Sequence, residues 1–249
     1  MRAYLVCALL LLSAASLIPM SGCGSSDDIQ AILPGDFRIL APGRSWTYDG
    51  TYWAREITRA TAEYSGSFIL TRACTEVDYA GQPALRVATT VSDVTGDRPA
   101  MAQDLAGTDY FVLQSPGYYA QAHQTPGGSL EVYNPPRLWM PVPLTRGQTW
   151  TWVENWFGTD TTATCTVTGV ETEDVPAGTF DAAQLSAGAQ ASGVGNWLQY
   201  TWVRAVAPDI GVVRETKTSS QTLATGEQIW AEINLDLHNY SDTYGPPTP

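Results

Sequence analysis

The sequence predicts an all-β, mainly antiparallel protein: two similar β units forming a curved half-barrel or clam, with few short helices. Three observations lead there. Apolar and polar residues alternate with period two through several segments, which is the repeat of a half-buried strand. Clusters of Pro and Gly punctuate the chain between those segments. An aromatic motif near residue 43 returns near residue 147, the mark of an internal repeat.

Trp46, Tyr48 and Gly50 share one parity, as do Trp150, Trp152, Glu154 and Trp156, and each set reads as one strand face. Asp97–Ala106 carries the one helix start signal, with Asp97 as the cap and Pro99 in the first turn. Residues 161–172 (TTATCTVTGVET) are rich in Thr and Val, which favour a pleated sheet. Ile229, Ala231, Ile233, Leu235 and Leu237 alternate with polar or amphipathic neighbours. They form the cleanest amphipathic strand, with Gly211–Leu223 as its partner through Ala224-Thr225-Gly226. Turns are expected at 78–81, 115–117, 125–128 and 175–178, where Pro presets φ and Gly supplies positive φ. The total is eleven or twelve strands.

The repeat reads Leu40-Ala-Pro-Gly43-Arg-Ser-Trp46-Thr-Tyr48 and Leu144-Thr-Arg-Gly147-Gln-Thr-Trp150-Thr-Trp152, with Gly147 following Gly43 by 104 residues. It places a first β unit at 37–138, a second at 139–240 and a flexible tail at 241–249.

Residues 1–23 hold a short positive end (Arg2), an apolar run and a small-residue site before Cys23. The run from Tyr4 to Ile18 is too short to span a bilayer permanently. Met20-Ser21-Gly22-Cys23 resembles a bacterial lipobox, with Met20 where Leu is usual. The resemblance implies a signal peptide at 1–22, lipidation of Cys23, and a lipidated N-terminus and tether at 23–36. It also implies palmitate-type acyl chains holding the protein to the cell envelope. Gly24 resembles the pattern that permits sorting to the outer membrane, facing the periplasm or the cell surface, in a Gram-negative organism. Two or more acyl chains anchor stably, at roughly 0.8 kcal/mol per buried methylene.

Val175-Pro-Ala-Gly-Thr-Phe180 and Pro208-Asp-Ile-Gly-Val-Val213 resemble motifs of uncharacterised envelope domains with VPAGTF-type segments, distantly similar to the LolA/LolB half-barrel carriers. The second half carries that resemblance best. This chain departs from the carriers in being doubled and in lacking their helices.

Composition removes several classes. With 44% hydrophobic and 15% charged residues the chain folds rather than remaining disordered. Its formal net charge is −12, and one lysine (Lys217) accompanies twelve arginines without any basic stripe. Nucleic acid is excluded as a partner, because that affinity comes from cations set against phosphates. The membrane is reached through the acyl chains alone.

Cys74 and Cys165 remain after Cys7 leaves with the signal and Cys23 takes lipid. They form either a disulfide or two buried thiols. A bridge would close a loop of about 90 residues, worth roughly 4–5 kcal/mol.

No catalytic constellation or metal motif stands out, and no cofactor is expected. His123 and His238 read as exposed or edge-strand residues. Asp93, Asp97, Asp104 and Asp109, with Glu171, Glu173 and Asp174, read as solvated acids rather than a calcium loop. Among the many aromatics, Trp46 and Trp150 read as core, and Tyr52, Trp53, Trp152 and Trp156 as a candidate ligand groove. The expected function is non-enzymatic: binding of an amphipathic or hydrophobic ligand in an aromatic-lined concavity. A scaffold for another envelope protein and a glycan-binding module are the alternatives.

Overall fold

Period-two alternation in the sequence becomes an inner and an outer face in three dimensions. Along residues 44–57 the buried positions are Trp46, Tyr48, Gly50, Tyr52 and Ala54, while Thr51, Trp53 and Arg55 are exposed. The computed structural model describes residues 32–57, 61–156, 159–193 and 196–242, with backbone alone at 155, 156, 159, 193 and 196. The chain divides into residues 1–30 and 31–249, and the fold is that of the second unit.

Twelve strands run in order: β1 (Arg44–Ile57), β2 (Thr61–Tyr79), β3 (Gln82–Ser92), β4 (Gly107–Gln114), β5 (Gly117–Gln124), β6 (Leu130–Pro141), β7 (Thr149–Trp156), β8 (Thr159–Val175), β9 (Gly178–Gly193), β10 (Asn196–Ala207), β11 (Gly211–Thr222) and β12 (Gln228–Asp242). One short helix, α1 (Pro99–Gln103), lies between β3 and β4. The strands form a single antiparallel sheet in the order β6-β5-β4-β3-β2-β1-β12-β11-β10-β9-β8-β7, which curls into a nearly closed barrel. The all-β antiparallel class expected from the sequence is the class observed.

Both copies of the repeated motif fold alike. Gly43 and Gly147 each take positive φ, 85° and 75°, where a side chain would be strained. Arg44 N and Gln148 N then donate back to Ala41 O and Thr145 O, closing matching turns. Trp46 and Trp150 follow at 4% and 7% exposure, both in the core as expected. A ladder from Arg44↔Asp242 to Ile57↔Gln228, with one bulge between Thr47 and Tyr48, joins β1 to β12, so the sheet crosses from one half to the other. At the opposite side no ladder joins β6 to β7 among the described residues. Pro135 and Pro136 suit β6 to that edge, because proline cannot donate to a neighbouring strand.

Several boundaries differ from the sequence reading. The expected division between 138 and 139 falls inside β6, and β12 extends to Asp242, where Arg44 forms an ion pair at 3.1 Å. Residues 32–36, expected as tether, lie against the body: Ile32 N donates to Leu144 O at 2.8 Å, and Asp209 N donates to Asp36 O at 2.7 Å. The helix cap is Arg98, not Asp97, and makes no side-chain capping bond.

With so little helix, aromatic rings fill the interior. A buried ring removes about 150–250 Å² from water, or roughly 4–6 kcal/mol of transfer free energy each. Gly50 opposes Phe68 on β2, and a Cβ at Gly50 would stand 2.3 Å from the Phe68 ring, so the ring occupies the space a side chain would take. Two segments cover the interior. Phe37 and Ile39 are each 1% exposed, and Leu40 is held by the Tyr118 hydroxyl. Across the sheet, Ala102 of α1 is fully buried.

Candidate ligand-binding cavity

The rings do not fill the interior completely. A cavity of about 400 Å³ remains, walled by Trp46, Phe111, Trp139, Trp152 and Trp202, and by charged residues set among them. Its volume lies toward the small end of ligand pockets, roughly 300–1,000 Å³.

A cationic cluster stands on one side. Glu215 on β11 is 0% exposed and accepts from Arg204 Nη2 on Oε1 and from Arg72 Nη2 on Oε2, each at 3.0 Å. Lys217 Nζ lies 3.3 Å from Oε1. Burial alone would push the Glu215 carboxyl up, but Arg204, Lys217 and Arg72 together hold it well below the usual carboxylate range. For Lys217, the attraction of Glu215 favours the charged form. Burial and the repulsion of Arg204 and Arg72 outweigh it, and its pKa is lowered. Arg72, Arg204 and Lys217 all line the cavity.

Each cluster residue occupies an inward position of its strand. Arg72 follows the buried Phe68 and Leu70 in parity, Arg204 follows Trp202, and Glu215 follows Val213. The guanidinium of Arg204 lies over the Trp202 ring at 4.2 Å and near Trp139 at 5.5 Å, both favourable cation–π placements. Arg204 Nε is buried and has no hydrogen-bond partner among the described residues.

The acids on the wall are engaged elsewhere. Glu154 accepts from Trp152 Nε1 at 2.7 Å and from the Tyr200 hydroxyl at 3.2 Å, with Arg137 at 3.8 Å. Asp109 Oδ1 lies 2.8 Å from His123 Nδ1, its register partner across β4 and β5, and that bond raises the His123 pKa. Asp104, just past α1, is the remaining acid of the wall.

Of the groove residues expected from the sequence, Trp152 lines the cavity and stacks on Trp202 at 6.5 Å. Tyr52 does not. It points inward but is 2% exposed, and its hydroxyl donates to Thr95 O and accepts from Arg98 N, pinning the segment before α1. Trp53 does not either, because its parity turns it outward, 40% exposed. The side chain of Trp156 and all of Cys23 lie outside the described residues.

Cys74 on β2 and Cys165 on β8 are separate buried thiols, and the bridge weighed from the sequence is not formed. Burial pushes both up to about 12, since a thiolate is poorly solvated there. His238 is exposed as expected, whereas His123 is half-buried on the cavity wall. Glu173, expected in solvent, is 7% exposed, paired with Arg214 and bonded to Gln184. No group of three or more His, Cys, Asp or Glu is arranged to hold a metal ion among the described residues.

Fold and cavity together define a class: a curled antiparallel sheet around a partly open cavity of mixed aromatic and charged lining. No family model and no curated protein matches the chain. Three solved structures are similar. A Bacteroides fragilis protein assigned as exported, with a YmcC-like fold, has 14% identity, covers 84% of this chain and 100% of its own, and has a TM-score of 0.36. A Parabacteroides distasonis protein assigned as a lipoprotein has 10% identity, covers 83% and 99%, and has a TM-score of 0.38. Lipovitellin, from a structure of its lipid–protein interactions, has 10% identity, covers 84% of this chain but only 26% of its own, and has a TM-score of 0.43. At these identities the likeness concerns the course of the backbone and nothing else.

Proposed function

We propose that this is a non-enzymatic envelope lipoprotein, anchored through Cys23, that binds an amphipathic ligand inside its barrel. The observation that carries the reading is the 400 Å³ chamber, whose wall sets four tryptophans beside half-buried arginines and a lysine. Apolar surface supplies affinity in such a site, and a few fixed polar groups supply orientation. At roughly 30 Å³ per water the chamber holds about a dozen non-hydrogen atoms. That suits one small guest. Native mass spectrometry of the full chain purified from bacterial envelopes tests the reading. Wild type should carry a small-molecule adduct that Ala120→Trp, which fills the chamber, loses. A protein without adduct, or an adduct indifferent to Ala120→Trp, rejects it.

A second reading rests on the outer face. Trp53 and Trp230 are 40% and 49% exposed on the paired strands β1 and β12, in diagonal register. Two half-exposed indoles on one face favour a glycan or an envelope protein as partner. A glycan array with Trp53→Ala as the control separates this from the chamber.

A further inference from the structure

We propose that the guest is a small amphipathic anion, whose acidic group is received by Arg204 with Arg72 and Lys217 around it. Its apolar part lies against Trp139, Trp152 and Trp202. This deepens the ligand-binding reading above and rests on it.

The first ground is charge. One fully buried carboxylate, Glu215, faces three cations that all reach the cavity, which leaves the cluster with a surplus of positive charge. Buried charges are stable when matched, and a surplus in low dielectric is a standing cost that an entering anion relieves. The wall acids are engaged with other partners, Glu154 with Arg137, Trp152 and Tyr200 and Asp109 with His123, so the positive excess is local to Arg72, Arg204 and Lys217 around Glu215.

The second ground is an unmet donor. Arg204 already gives Nη2 to Glu215, while its Nε–H is buried with no partner among the described residues. The guanidinium is fixed in orientation by Trp202 and Trp139, so its remaining N–H donors keep one direction. The third ground is shape. Trp152 and Trp202 stack 24° from parallel beside the cluster, a flat apolar surface next to a cationic one. An aromatic or short aliphatic group carrying a carboxylate or phosphate fits both.

The test is calorimetric titration of the full chain in detergent micelles, with protein-free micelles as reference. The probes are naphthalene carboxylate and its neutral counterpart naphthylmethanol, each of about a dozen non-hydrogen atoms. The acid should bind at least about tenfold more tightly than the alcohol. Arg204→Met should erase that preference, bringing acid and alcohol to the same affinity within the variant, while Arg72 and Lys217 still neutralise Glu215. Should circular dichroism show Arg204→Met misfolded, Arg204→Gln, which keeps a polar side chain of similar reach without the charge, carries the same prediction. Equal affinity for acid and alcohol overturns the anion assignment and leaves the ligand-binding reading standing. Binding of neither overturns both. A preference that survives in the folded variant places the acidic group elsewhere and overturns the assignment to this cluster.

Discussion

Arg204 Nη2 lies 3.0 Å from Glu215 Oε1, and the two residues are direct register partners across the β10–β11 ladder. The pair is therefore fixed by backbone pairing before any side chain chooses a rotamer. Arg72 reaches the same carboxylate from β2, with β1 and β12 between it and β11 in the sheet. The cluster thus ties together both halves of the barrel across the β1–β12 junction.

Glu215→Gln should destabilise the protein by about 3–5 kcal/mol, because it leaves three cations facing one another in a buried site. Lys217→Met should cost less than about 1 kcal/mol, since Glu215 keeps both arginines and the cluster loses a repelling charge. Urea denaturation of the two variants measures the difference. Similar losses for both would show that Lys217 is as necessary to Glu215 as the arginines are.

Stability should be greatest in a window set by two groups of opposite sense. Glu215 is depressed in the folded state, so its contribution is present above its ordinary value of 4.5 and is lost as pH falls through the folded value. His123 is raised by Asp109, so its contribution is full below its ordinary value of 6.5 and disappears as pH rises through the folded value. Denaturation midpoints against pH should decline on both sides. His123→Gln should flatten the alkaline limb alone; an unchanged alkaline limb in that variant would remove His123 from this role.

Sequence alternation was enough to read the fold, because a one-residue slip would turn Trp46, Tyr48 and Tyr52 outward together. The groove residues come from aromatic density instead, which holds for Trp152 and fails at Trp53, because density ignores parity: Tyr52 and Trp53 are neighbours on opposite faces. The cluster escaped for the complementary reason. Arg72, Arg204 and Glu215 each stand on the apolar parity of their strands, a signal visible beside Leu70, Trp202 and Val213. Their mutual proximity was not visible, because β2 and β11 meet only through sheet order, and no local pattern encodes that β1 pairs with β12.

Cys74 and Cys165 should resist thiol reagents in the native protein and react fully in denaturant without reductant. With pKa values of about 12, only about one thiol in ten thousand is ionised at pH 8. Spectrophotometric thiol titration gives the count. Silence in denaturant until reductant is added would mean that the two are bridged after all.

The central claim is that a guest occupies the barrel interior beside Arg204. Anomalous diffraction from crystals of the full chain grown with a bromonaphthalene carboxylate tests it most directly. A bromine peak is expected between the walls of Trp139, Trp152 and Trp202, with carboxylate oxygens in hydrogen-bond reach of Arg204. A peak on the outer face beside Trp53 and Trp230, or an interior with no peak at saturating probe, would contradict it.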